Sequence, residues 1–174
     1  MKKRVIILVL AFSLALSLGL AGCTDPQDQL ADTMKAYASM LQEGIPEDVT
    51  LEIYLTNLHT LYNIPLSVER LIETAEWSTV VKGEELAKHS ELLEKLDAAA
   101  LQPSETSHYI NARVYYIFKN GKGEKLLDVV ITPMRLSRIE GYVQVNGIAV
   151  EWDPVFYQLI EPFLTEEAHE VLGI

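Results

Sequence analysis

Residues 142–145 and 148–152 are rich in β-branched and aromatic side chains, and only Asn146-Gly147 stands between them. That arrangement leaves the backbone little choice but a tight antiparallel hairpin. The turn needs positive φ at both central positions, and Asn and Gly are the residues that accept it. A second strand pair is written just upstream. Residues 109–119 place Ile110, Ala112, Val114, Tyr116 and Phe118 on one side, and after the turn Asn120-Gly121-Lys122-Gly123 residues 126–132 run back. Earlier still, Val49, Leu51, Ile53 and Leu55 alternate with Thr50, Glu52, Tyr54 and Thr56, and residues 77–81 read as a short strand. Period-two segments with one apolar side need that side covered.

The cover is helical. Thr24 and Asp25 are N-cap types, Pro26 suits a first helical position, and Leu30, Met34, Tyr37 and Leu41 form one apolar stripe before Gly44 and Pro46 end it. Ser67 caps a short turn carrying Val68, Leu71 and Ile72, and residues 84–100 read as one helix with Leu86, His89, Leu93 and Leu96 on a common face. Asp153 and Thr165 cap two further helices, the first opening at Pro154. Helices flanking an antiparallel meander define an α+β fold, with a sheet of four to six strands and helices packed on one face. A length of 174 residues fits one domain, and 49% apolar residues exclude a disordered chain. A net charge of −11 argues against a nucleic-acid partner, and a single cysteine excludes a disulfide framework.

That cysteine closes the leader. Lys2, Lys3 and Arg4 precede an apolar run over residues 5–20, then come Ala21, Gly22 and Cys23. A basic start, an apolar stretch and a small-residue exit make a secretory signal. Leu20-Ala21-Gly22-Cys23 resembles the lipobox of bacterial lipoproteins. The resemblance implies that residues 1–22 are a signal peptide cut away before Cys23, that the Cys23 sulfur carries a diacylglyceryl group, and that residues 23–174 are a single extracytoplasmic domain on the membrane. More than one acyl chain makes such attachment durable. Loss of Lys2, Lys3 and Arg4 takes the net charge from −11 to −14, so the domain is expected to be tethered by lipid and held off an anionic surface. Residues 109–132, Asn146-Gly147, Phe156-Tyr157 and Pro162-Phe163-Leu164 also resemble features of small bacterial lipoproteins of unassigned function, a likeness that supplies no activity.

No catalytic constellation is written in the chain. It has no Gly-x-Ser-x-Gly elbow, no His-Glu-x-x-His and no phosphate-binding glycine motif. Of His59, His89, His108 and His169, His89 reads as a boundary residue paired with Glu85. Glu166 with His169 has metal-helix spacing but lacks the second pair that a di-iron site requires. Neither a metal nor a cofactor is expected. One strand face points to binding: Tyr109, Arg113 and Tyr115 share it with Asn111 and Ile117, opposite Ile110 and Val114, and aromatic and Arg side chains favour recognition. A covering helix, with Arg113 paired to an acid, is the competing explanation. Arg135 and Arg138 form a basic loop. The expected function is a lipid-anchored, non-catalytic module for a protein or peptide partner. The alternatives are a small envelope hydrolase using acidic residues, and a small-ligand carrier with a closed apolar pocket.

Overall fold

The computed structural model describes residues 25–99, 101–105, 110–135 and 138–174. The leader with Cys23, and likewise His108 and Tyr109, lie outside the described residues. The described chain is α+β, built on a six-stranded antiparallel sheet.

Helix α1, Pro26–Glu43, starts where its local chemistry dictates. The Asp25 carboxylate accepts from the Gln27 N–H at 2.9 Å, Pro26 occupies the first turn, and Gly44 at φ 87° ends it. Leu30, Tyr37 and Met40 form its buried stripe. Strand β1, Thr50–Leu55, follows with strict alternation, its odd residues buried. Ser67 Oγ accepts from the Arg70 N–H to cap α2, Val68–Thr74. Strand β2, Trp77–Lys82, passes directly into α3, Gly83–Ala87, and α4 spans Ser90–Ala98.

The helix expected over residues 84–100 is thus two helices. The Lys88 and His89 N–H groups donate to Glu85 and Leu86 carbonyls, three residues back, which tightens and closes α3. His89 then serves as the N-cap residue of α4. Leu86, Leu93 and Leu96 remain buried on both sides of the break, so the apolar stripe alone carries no sign of it.

Strands β3 (Val114–Lys119), β4 (Lys125–Arg135), β5 (Arg138–Val145) and β6 (Ile148–Val150) complete the sheet in the order β2-β1-β3-β4-β5-β6. Asn146 at φ 49° and Gly147 at φ 83° make the expected turn between β5 and β6. Asn146 adds two bonds of its own. Its Oδ1 accepts from the Asp128 N–H and its Nδ2 donates to the Thr33 carbonyl, fastening the turn to β4 and α1. Helix α5, Val155–Gln158, a 3-10 turn at Glu161–Phe163 and α6, Glu166–Leu172, end the chain.

The main core lies between one sheet face and α1, α4, α5 and α6. Tyr37, Tyr116, Phe118 and Phe156 fill it, with the Tyr37 and Phe118 rings meeting edge to face at 5.3 Å. Two of these rings also fasten elements together: Tyr37 Oη donates to the Leu93 carbonyl, joining α1 to α4, and Tyr116 Oη to the Phe156 carbonyl, joining β3 to α5, both at 2.9 Å. The opposite sheet face holds a smaller cluster, in which Leu66, Val68 and Leu71 from α2 and its approach pack on Ala112, Tyr115, Ile117 and Val130.

Candidate functional site

Arg113 and Tyr115 are not displayed on a surface. Each is 4% exposed, because α2 and the chain leading to it cover this part of the sheet. The strand expected from residue 109 begins only at Val114. Ahead of it the Ala112 N–H donates to the Leu66 carbonyl, the Asn111 N–H to Thr132 Oγ1, and Asn111 Oδ1 accepts from the Leu66 N–H. Residues 111 and 112 therefore serve the connection after β1. The alternation also slips there, for Ala112 joins the small cluster while Val114 joins the main core.

Arg113 is the hub of this connection. Its guanidinium donates to Asn111 Oδ1 at 2.9 Å, to the Ala112 carbonyl at 3.2 Å and to the Thr60 carbonyl at 3.0 Å. It also stacks 4.6 Å from the Tyr62 ring centroid. Oxygens of amides, not a carboxylate, hold it. Burial pulls its pKa below the ordinary guanidinium value, against the opposing pull of Tyr62 and Glu76. Glu76 works close by, where its Oε1 accepts from Thr56 Oγ1 at 2.7 Å, and Thr56 also bonds the Tyr62 hydroxyl at 3.1 Å. The segment so fixed presents Leu61, 82% exposed, and Ile64, 68% exposed. Sequence reasoning found Arg113 and its neighbour Asn111 but not the Thr60 carbonyl, which is distant in sequence.

Tyr115 belongs to a second group. Its ring stacks on Tyr54 across the β1–β3 pair, with centroids 6.1 Å apart. Tyr54 Oη donates to Glu52 Oε2 at 2.8 Å, and the same carboxylate takes Lys119 Nζ at 2.7 Å. Tyr115 Oη donates to Asp128 Oδ2 at 3.3 Å, which Lys125 Nζ also meets at 3.3 Å. Burial works to raise the Glu52 pKa, but the hydrogen bonds from Lys119 and Tyr54 overcome it and hold the carboxyl below its ordinary range. A general acid needs the reverse shift. Burial first, then Glu52, pushes the Tyr54 phenol up to about 12.

The histidines stay apart. His89 lies edge-on to Phe163 at 5.1 Å, with Nε2 4.0 Å from Glu85 Oε1, as a boundary residue would. His169 Nδ1 lies 2.9 Å from the Thr165 carbonyl at the start of its own helix. The His59 ring lies against Gly173. Among the described residues no three His, Cys, Asp or Glu side chains gather as a metal site would require, and no helix is long and apolar enough to cross a membrane.

A concave feature lies where β5, the end of β6, α5 and the C-terminus meet. It is a groove of about 410 Å³, walled by Ile139, Trp152, Pro154, Tyr157 and Ile174, with Glu140 and Glu161 also on its lining. Asp153 builds one wall: its carboxylate accepts from the Val155 N–H at 2.8 Å and starts α5, which carries Tyr157. The Tyr157 hydroxyl is buried, yet it finds no hydrogen-bond partner among the described residues. Tyr37 and Tyr116 show that this fold otherwise satisfies its buried phenols. Burial, reinforced by Glu161, pushes the Tyr157 pKa up to about 12, so the group is a neutral donor and acceptor at physiological pH. Trp152 and Phe156 form a pair behind the groove, with centroids 6.4 Å apart. The sequence reading passed over Trp152 and Tyr157, since their meeting with Ile139 and Ile174 depends on how the last helices fold back. No protein-family model matches the chain, and neither a curated protein nor a solved structure is found similar to it.

Proposed function

We propose that this chain is a lipid-anchored, extracytoplasmic binding module, attached to the membrane through Cys23 and taking a peptide partner in the groove beside Trp152. The observation that carries the binding reading is an aromatic, apolar groove lined by Tyr157, whose buried hydroxyl has no partner among the described residues. Such a site suits a ligand that brings apolar surface and one hydrogen-bonding group. Glu140 and Glu161 favour a partner with positive charge beside its apolar side chains, and Trp152 and Tyr157 on the same lining are ring types that attract a cation. The anchor reading rests on the leader ending in Leu20-Ala21-Gly22-Cys23.

Two experiments test the two halves. Growth with a fatty-acid probe should label the chain, and Cys23→Ala should abolish the label; labelling that persists in Cys23→Ala removes the anchor. For the groove, Trp77→Phe leaves Trp152 as the single indole, since the chain has two tryptophans. Peptides pairing apolar residues with Lys or Arg should shift its emission, and Glu161→Lys should suppress the shift. If none of a varied peptide set changes Trp152 emission, the groove is not a peptide site.

A further inference from the structure

We propose that the end of the sheet at which α1 begins rests on the lipid surface, with Leu61, Ile64 and Met134 entering its headgroup layer. The inference rests on attachment through Cys23 and is independent of the groove. The tether decides which part of the domain meets the membrane. Cys23 stands two residues before the Asp25 cap, and two residues span at most about 7 Å. The region around the start of α1 is therefore the region held at the bilayer.

Trp77, Leu55, Val114, Ile131, Val143 and Val150 form one cross-strand row through all six strands. Past that row, at one end of the sheet, lie the loop after β1, the β4–β5 turn and the chain after β6. Helix α1 begins at this end. The Glu151 N–H donates to the Gln102 carbonyl, and Gln27 Nε2 donates to the adjoining Leu101 carbonyl at 3.2 Å. Further along α1, the Thr33 carbonyl meets Asn146 in the turn at the opposite end.

The end so placed carries apolar tips. Leu61 and Ile64 are largely exposed, and Met134 is 55% exposed. Asn111 joins their two segments, accepting from the Leu66 N–H and donating to Thr132 Oγ1. Charge points to a lipid surface as the occupant. Of 25 Asp and Glu residues, none falls within residues 53–68 or 129–139, and the charges in these segments are Arg135 and Arg138. Glu76, beside the first segment, spends its carboxylate on Thr56 and the Asn57 N–H. Such tips enter a headgroup layer without burying a carboxylate, and arginine suits lipid phosphates. Asp28, Glu140 and Glu161 lie toward the same end, so the contact is chiefly apolar and favours zwitterionic over anionic lipid.

The test uses the full-length chain, purified from membranes and reconstituted into phosphatidylcholine vesicles. Asn63→Cys, which keeps Leu61 and Ile64, and Lys122→Cys, in the turn at the opposite end, each carry a thiol-linked fluorophore. A lipid on Cys23 blocks that sulfur and leaves the new thiol as the labelled one. Nitroxide-bearing lipid should quench the Asn63→Cys label at least about threefold more than the Lys122→Cys label. Adding Leu61→Ser and Ile64→Ser should bring the quenching down to the Lys122→Cys level, with circular dichroism confirming that each variant folds. Equal quenching of the two labels, or quenching indifferent to the added substitutions, overturns the proposal while the anchor stands. A Cys23 thiol that itself takes the label, in protein that fails to float with the vesicles, removes the anchor and this inference with it.

Discussion

At the scale of single residues, Arg113 and Tyr157 make opposite predictions. Arg113 is buried and fully engaged, so Arg113→Met takes the guanidinium donor from the Thr60 carbonyl and leaves Asn111 Oδ1 with the Leu66 N–H alone of the two donors described. The expected cost is about 2–3 kcal/mol in urea unfolding, with Arg113→Lys recovering part of it, because a single ammonium cannot reproduce the planar fork. Tyr157→Phe removes a buried hydroxyl that has no partner among the described residues, and should raise stability by about 1 kcal/mol in the same measurement. A loss of stability on Tyr157→Phe would mean that the hydroxyl is already satisfied in the free protein, which would withdraw the support it gives to ligand binding. Neither role was written in the sequence. The alternation of Tyr109, Arg113 and Tyr115 suggests a displayed face, but exposure is decided by Leu66 and Leu71, which arrive from about 45 residues upstream and cover it.

Among the elements, those fixed by neighbouring residues are the ones that sequence reveals. Asp25, Ser67, Asp153 and Thr165 each accept the backbone N–H that a cap should, and Asn146-Gly147 turns as its residues demand. Of the departures from expectation, one is fixed at long range and the other is local but leaves no mark on the apolar pattern. Strand β3 begins late because residues 111 and 112 are bonded to the segment before α2, and the division of α3 from α4 leaves the buried leucines in place. Gly83 illustrates a constraint of this kind. A Cβ at this position would meet the Pro46 carbonyl oxygen at 1.9 Å, since β2 passes into α3 directly against that loop. Gly83→Ala should therefore cost about 2–3 kcal/mol by thermal or urea unfolding, despite alanine's better helix propensity. Asn146→Ala, which loses the bonds to Asp128 and Thr33, should cost about 2 kcal/mol and leave α4 and its contacts with α1 unchanged by amide exchange.

For the whole molecule, the tyrosines set an alkaline limit. Burial, with Glu52 and Glu161 adding to it, holds the Tyr54 and Tyr157 phenols up at about 12, and Tyr37, Tyr115 and Tyr116 are raised further by burial. A phenol whose pKa is raised in the folded state stabilises fully below its ordinary value near 10, and that contribution disappears as pH climbs through the folded value. Unfolding free energy should decline from about pH 10 toward pH 12, and Tyr157→Phe should make the decline shallower; a flat profile would contradict the packing described. Glu52 acts at the other end. Its lowered pKa lends stability above the ordinary carboxylate range, which is lost as pH falls through the folded value. Helix α1 has a consequence of another kind. It is already capped at Asp25, only two positions after Cys23, so under the proposed attachment through that sulfur the stretch between lipid and first helical turn would be too short for the extended substrate strand that surface-shaving proteases grip. Release of the domain from a cell would then require α1 to unravel first, and shedding would report local opening of that helix.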